Sequence, residues 1–416
     1  MTRFAVPVLA NPSVIPSNIA GLGLPVFQTV ADALAARDSD EAFAVLYPTT
    51  IARCASQFLE GFPGKPIFAV KANPHPAVIS ALWSAGLRAF DVASIRELDL
   101  VTSVCPDAEL YFMHPVKSRQ TIQHAYRAGV RQFAFDCAAE LIKLREETSH
   151  AKDLHLHLRL ALPDSRARMP LTGKFGAEVE DAISLLIDAR RAATKLGVAF
   201  HVGSQCLDPE SYVTAIGHVR NLANLAGVTI DTLDCGGGFP VDYPGQTAPD
   251  LRAFFAAISD GVSHFGFDHV DVLGEPGRAL CATGGSTLAR VDLRKGAQLY
   301  INDGTYGTLF DAGHPGWTFP VQRHRVRSVA EDAPLQPFSL FGPTCDSLDR
   351  MDGPFYLPDN IEEGDWIEFG HLGAYGQALR TAFNGFETRD TVAIVGEVFN
   401  AGPIAKNAGT CGQSRC

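Results

Sequence analysis

From about residue 42 the chain alternates short β-branched or aromatic runs with helix-like stretches, and nothing else in it constrains the fold as much. The runs are FAVLYP (43–48), PIFAV (66–70), RAFDV (88–92), ELYFM (109–113), RQFAF (131–135), LHLHLRLAL (154–162), VAFHVGS (198–204), TLDC (232–235) and VDVLG (270–274). Between most of them lie segments of period near 3.6, such as PAVISALWSAGL (76–87) and AISLLIDARRAATKLG (182–197). Strands alternating with helices read as βαβ units and a parallel sheet. Counted from PIFAV there are eight strands, the number that closes a (β/α)8 TIM barrel. FAVLYP is then a lead-in belonging to another unit.

After about residue 280 the rhythm changes. TLARVDLRKGAQLYIND, PFYLPDN and DWIEFG are short strands split by Gly, Asp and Pro, without long helices between them. The expectation is an α/β chain with a TIM barrel over 44–280. Residues 1–43 and 281–416 together form an antiparallel β-barrel or sandwich domain. A length of 416 residues suits two or three domains. An apolar fraction of 46% with no run of about 20 apolar residues argues for a soluble chain without a membrane span. The first 25 residues are broken by prolines and lack a basic start, so they read as mature protein, not a signal peptide. A formal charge of −11 with no basic cluster disfavours nucleic acid and tolerates a small cationic partner. Nine cysteines, scattered without a CxxC pair, point to a reducing, cytoplasmic setting, with no metal site expected. Cys411 and Cys416 read as dangling thiols.

The unusual polar residues gather at strand ends, which in a TIM barrel meet at one mouth. Lys71 follows PIFAV, and Asp91 and Glu97 end or follow the next strand. Arg159 lies in LHLHLRLAL, His201 and Ser204 in FHVGS, Gly236, Gly237 and Gly238 after TLDC, and Glu275, Gly277 and Arg278 in GEPGR. Taken singly, each has an ordinary reading: a solvated lysine, a core histidine, a tight glycine turn. Jointly they suit one coenzyme. A lysine forms a Schiff base with an aldehyde, and a glycine nest with an arginine holds a phosphate. A carboxylate pairs with a ring nitrogen, and a histidine lies flat on an aromatic ring. Pyridoxal 5′-phosphate has all four features.

AVKAN, FDVAS, KFG (174–176), FHVGSQC, CGGGFP, GEPGR, GPTCDSLDRM and GAYGQALRTAFNGF, with Tyr375, resemble the ornithine/diaminopimelate/arginine decarboxylase family. These are fold-type III pyridoxal-phosphate enzymes with an alanine-racemase-like barrel and a β-domain. The resemblance runs from about residue 42 to 400 in the family's motif order. It implies that Lys71 carries the cofactor's aldehyde, that His201 stacks on its ring and that Glu275 binds the ring nitrogen. It also implies that Ser204, Gly238, Gly277, Arg278 and Tyr375 contact the phosphate, while Asp91, Glu97 and Arg159 support ring and lysine. The family completes each site across a homodimer, which would bring in Cys345, as proton donor to Cα, and Asp346.

The distal end of the substrate is read by charge. Asp346 in CDSLD matches the carboxylate that pairs with a distal ammonium, and Asp311, after Phe310, matches a second one. Diaminopimelate enzymes resemble this stretch with an arginine where this chain has Tyr306. The expectation is a small cationic amino acid, L-ornithine converted to putrescine, with L-lysine to cadaverine open beside it. The alternatives are diaminopimelate or another amino acid of the same family, a non-catalytic decarboxylase-like regulator, or a racemase on the same barrel. PDSRARMPLT (163–172) reads as solvent-facing, though Arg166 or Arg168 turned inward would return an acidic substrate to contention.

Overall fold

The structure is a computed structural model that describes residues 21–163, 167–171, 173–313, 315–326, 333–396 and 398. Most of the N-terminal segment read as mature protein, together with Arg166, Cys411 and Cys416, lies outside the described residues. Numbered along the chain, β1 (Val26–Phe27) and β2 (Phe43–Leu46) precede the barrel and belong to a separate sheet. The barrel closes on β3 (Lys65–Ala69), β4 (Ala89–Asp91), β5 (Glu109–Phe112), β6 (Gln132–Phe135), β7 (His155–Arg159), β9 (Lys195–Ala199), β11 (Thr232–Asp234) and β12 (Asp271–Gly274). Each of the eight runs from PIFAV onward supplies one of these strands. Between them, β8 (Ala167–Met169) and β10 (Ser204–Cys206) pair as a small antiparallel ribbon.

Closure depends on a close approach of backbones. β12 meets β3 through Leu273 opposite Lys65 and Gly274 opposite Pro66. A Cβ on Gly64 would stand 2.3 Å from the carbonyl oxygen of Val272, so the turn into β3 has room only for glycine.

Side chains alternate along each strand, so the inward set is fixed once one residue is placed. Ile67, Ala89, Tyr111, Met113, Ala134, Ala199 and Leu273 form a cluster in the barrel's interior. Further towards the N-terminal end, the same rows present Lys65, Glu109, Lys195 and Asp271. These charges line a cavity of about 430 Å³ at the barrel floor. They are matched pairwise, Lys65 to Glu109 at 2.7 Å and Lys195 to Asp271 at 2.8 Å. Paired in this way, the charges at the floor balance one another.

The helices wrap the outside and bury aromatic rings. Phe58, on the helix Pro48–Gly61, meets Phe239 at 5.0 Å and Phe255 at 4.9 Å edge-on, and Phe62 at 5.3 Å in a stack. Among the described residues no helix is long and apolar enough to cross a membrane.

The second unit is a nine-stranded sheet in the order β1-β19-β2-β13-β14-β16-β17, in which β18 also pairs with β13, and β15 with β18. Its further strands are β13 (Gly285–Lys295), β14 (Gln298–Ile301), β15 (Val321–His324), β16 (Leu335–Phe341), β17 (Arg350–Pro358), β18 (Trp366–Phe369) and β19 (Thr391–Ile394). An antiparallel sheet was expected, and most pairs are antiparallel, but β1/β19, β2/β19 and β14/β16 run parallel. The cause is connectivity. The barrel is inserted between β2 and β13, so β19 arrives from far along the chain with no hairpin to set its direction. Glu368, buried in this sheet, accepts from Tyr47 and Ser286 at 2.6 Å each and contacts His324 at 2.8 Å.

Phe58→Ala should cost about 3–5 kcal/mol, because three other rings close around that position. Equilibrium denaturant titration of the variant checks this, with the midpoint falling and the far-ultraviolet spectrum of the folded state unchanged.

Candidate active site

Strand β3 ends in a 3-10 turn, Val70–Ala72, that carries Lys71. The next helix begins at Pro76, and His75 caps it by accepting from the amide of Ala77 at 3.1 Å. Proline suits that first position because its missing N–H had no partner to lose. The turn is clipped to the second unit: Asn73 Nδ2 donates to the Gly373 carbonyl at 2.8 Å, and the Tyr375 amide to the Ala72 carbonyl at 2.8 Å. Tyr375 itself sits in the left-handed region at φ 62°, an uncommon position for a bulky residue. The strand breaks there so that an amine and a phenol from two different units face one cavity.

That cavity, at the C-terminal mouth of the barrel, is lined by Lys71, His201, Ser204, Gly237, Gly238, Glu275, Gly277, Arg278 and Tyr375, with Leu171 and Phe239. Around it the inward rows of the strands end in charge. Asp91 is buried and accepts from the amide of Met113 at 3.0 Å. Burial, with Glu275 nearby, pushes its carboxyl up to about 7. Glu275 is pushed up to about 8 by burial and by Asp234, with Arg159 and Lys71 opposing. Burial also works against the Lys71 ammonium, but Tyr375, Asp91 and Glu275 outweigh it and hold the amine's pKa above the usual lysine value. His201 goes the other way: burial, then Arg159 and Lys71, hold it well below 6.5 and neutral. Its Nδ1 accepts from the amide of Gly203 at 2.9 Å, leaving the remaining proton on Nε2.

The glycines make a cradle. Gly236 and Gly238 adopt φ of +66° and +108°. A Cβ on Gly237 would lie 2.6 Å from the Glu275 carbonyl oxygen and 3.1 Å from His201 Nε2. Beside it Arg278 starts a short helix and is buried. Its Nη1 donates to the Tyr243 hydroxyl at 2.7 Å, and Nη2 lies 3.8 Å from Asp311. Its guanidinium stacks 4.3 Å from the ring of Trp317 and 4.9 Å from that of Tyr375. Its Nε is buried without a partner.

Several expected residues stand outside the cavity wall. Glu97 accepts from the amide of Ala93 at 2.6 Å and reaches Lys71 only through its field. Asp311 is buried against Arg278, while the neighbouring Phe310 is exposed. Cys345 and Asp346 lie on the loop before β17, with Cys345 exposed. Asp346 accepts from the Tyr306 hydroxyl at 2.6 Å. Asp349 shapes that loop, accepting from the amides of Thr305 and Thr344 at 2.7 and 3.0 Å. Arg168 is exposed but does not simply face solvent: it stacks 4.6 Å over Trp317 and donates to the Gly316 carbonyl. Asp234, Tyr243 and Trp317 were not singled out from the sequence. Only Asp234 left a signal there, as an acid inside the apolar run TLDC.

The donor set can be tested for fit. A guanidinium nitrogen without a partner, beside glycines that leave no space for a Cβ, suits a phosphate. Lys71 offers an amine for an aldehyde, His201 a neutral flat ring, and Glu275 a carboxyl for a ring nitrogen. Pyridoxal 5′-phosphate meets all of them, which places the chain among the barrel enzymes that use this coenzyme. Comparison with known proteins narrows the class: the chain belongs to the pyridoxal-dependent decarboxylases. The family described as "Pyridoxal-dependent decarboxylase, pyridoxal binding domain" matches residues 49–282, and its "C-terminal sheet domain" matches 283–373. Ornithine decarboxylase of Panagrellus redivivus is 32% identical over 418 residues, covering 92% of each chain. Antizyme inhibitor 2 of Xenopus laevis is 31% identical, covering 88% of this chain and 84% of its own length. Among solved structures, the arginine decarboxylase of Paramecium bursaria Chlorella virus superposes with a TM-score of 0.78 at 28% identity, over 88% of this chain and 99% of its own. The lysine/ornithine decarboxylase of Vibrio vulnificus, complexed with cadaverine, superposes with 0.75 at 29% identity, over 88% and 100%.

Gly238→Ala should weaken cofactor binding about tenfold, the scale of a backbone strain of ~1–3 kcal/mol. The new Cβ meets the Gly203 carbonyl oxygen at 2.4 Å, and the position has a positive φ that a side chain disfavours. Titration of the cofactor-free chain with pyridoxal 5′-phosphate, followed by absorbance, reads the shift.

Proposed function

We propose that the chain decarboxylates a diamino acid, L-ornithine to putrescine, and accepts L-lysine, giving cadaverine, as a second substrate. The observation that carries this reading is the contact between Tyr306 and Asp346. Where diaminopimelate relatives resemble an arginine, this chain has a phenol that donates to a carboxylate. Tyr306 brings no cation of its own, so Asp346 offers negative charge to a distal ammonium there. Asp311 adds a second carboxylate, this one buried beside the cavity's arginine.

The coenzyme, when bound, supplies an electron sink for the pair of electrons left as CO₂ departs. The chain's own groups do the rest. Lys71 provides the amine that holds the aldehyde and later releases the product. His201, neutral, covers the ring face, and Glu275 holds a proton at the ring nitrogen. The glycine cradle, Ser204, Arg278 and Tyr375 fix the phosphate, and Asp91 and Arg159 keep Lys71 and Glu275 in a balanced field. Cys345 of a second copy of the chain delivers the proton to Cα. Its exposed position outside its own chain's cavity supports a homodimer with shared sites.

Retention of Lys71, Glu275, Arg278 and Cys345 favours an enzyme over a regulator that keeps only the fold. A CO₂-release assay across ornithine, lysine, arginine and diaminopimelate tests the substrate. Ornithine turnover is expected, with Asp311→Asn and Asp346→Asn each lowering kcat/KM by about tenfold or more, the scale of a lost charge-assisted hydrogen bond. Turnover of arginine or diaminopimelate alone refutes the assignment. Mixing inactive Lys71→Ala with inactive Cys345→Ala should restore about a quarter of wild-type activity, because random dimers carry one intact site in half the molecules. No recovery refutes the shared site.

A further inference from the structure

Behind Glu275 lies a second acid that neither the family's motifs nor the cavity lining draws in. Asp234 is the last residue of β11 and is fully buried. Its Oδ1 accepts from the amide of Gly236 at 2.8 Å, which ties it to the start of the glycine cradle. Gly236 also accepts from the Glu275 amide at 2.7 Å through its carbonyl, so one residue ties both acids, and each carboxyl acts on the protonation of the other. Asp234 Oδ2 and Glu275 Oε1 are each buried with no donor within reach. Two acceptor oxygens enclosed together cost several kcal/mol if both groups are ionised, and one hydrogen between them removes that cost. Lys71 and Arg159 are two cations facing four carboxyls, Asp91, Glu97, Asp234 and Glu275, so the cluster holds more acids than cations and favours keeping a proton.

We propose that Asp234 is a positioning residue that shares one buried proton with Glu275, and that the pair holds this proton in reserve for the ring nitrogen of the cofactor. On loading, the O–H bond of the pair breaks and an N–H bond forms. Both carboxylates are then left ionised, against the new ring cation and Arg159. The site thus protonates its cofactor from its own carboxyl pair, without drawing a proton from solvent.

The groups facing the pair come from every element around it. Arg159 on β7 and Lys71 after β3 favour the ionised forms, and Asp91 on β4 opposes them. Tyr111 on β5 senses Asp234, and the neutral ring of His201 lies against the Gly237 position between them. Burial lifts Asp234 to about 6 and burial with Asp234 lifts Glu275 to about 8. Both folded-state values exceed those of an unfolded chain, near 4. The folded, cofactor-free site therefore binds more protons across roughly pH 4 to 8, and its stability falls as pH rises through that window.

The inference rests on the cofactor assignment and is independent of which amino acid is used. Infrared difference spectroscopy of the full chain, freed of cofactor and then titrated, tests it. At pH 7 wild-type protein should show a protonated-carboxyl band that Asp234→Asn removes and Asp91→Asn keeps, apart from any band of Asp91 itself. Adding pyridoxal 5′-phosphate should abolish the band, and its 1-deaza analogue, which lacks the nitrogen, should leave it. The fall of melting temperature between pH 5 and 8 should be shallower in Asp234→Asn. No band in the wild type, a band untouched by Asp234→Asn or lost in Asp91→Asn, or equal loss with both cofactors overturns the proposal. The two-cofactor comparison needs only wild-type protein, so a poorly folding variant does not remove the test. Absorbance during the same titration shows separately whether cofactor binds.

Discussion

The closed barrel imposes one rule on everything inside it: along each parallel strand only every second side chain points inward. Once Ile67 and Leu273 are interior, Lys65 shares the row of Ile67 and Asp271 that of Leu273, while Lys71 and Glu275 stand just past the strand ends at the mouth. The same alternation fills the floor with matched ion pairs and the mouth with unmatched groups. At the floor each lysine has its own carboxylate, so no field is left over for a ligand. At the mouth the carboxyls outnumber the cations, and the imbalance is what the chemistry uses.

Burial then sets the character of each group. The same removal from water raises Asp91 and Glu275 and lowers His201, so the acids hold protons and the imidazole loses its own. Arg278 tolerates burial because its flat cation lies against Trp317 and Tyr375 and touches Tyr243 and Asp311. The nitrogen left over, Nε, is buried without a partner.

The barrel was legible in the sequence because its signal is local: an eightfold alternation of strand-like and helix-like runs. The residues that line the mouth's cavity were legible for the same reason, since Lys71, His201 and Glu275 each follow closely on a strand. Asp234 could have been found by counting in twos back from the glycines, but within TLDC it read as part of a core strand. Tyr243 and Trp317 left no trace. They reach Arg278 from loops 35 and 39 residues away by number, and only the folded chain shows that their rings meet it. The parallel pairs in the sheet were hidden likewise, because nothing in β1 or β19 records the partner waiting at the other end of the chain.

The clip between Asn73 and Gly373, and between Ala72 and Tyr375, joins the lysine's turn to a loop of the other unit. Lys71 and Arg278 belong to the barrel and Tyr375 to the other unit, so the cavity they line closes across a seam. A seam of that kind makes the coenzyme a crosslink: its occupancy and the docking of the two units rise and fall together, and thermal melting of the loaded protein should be a single cooperative event.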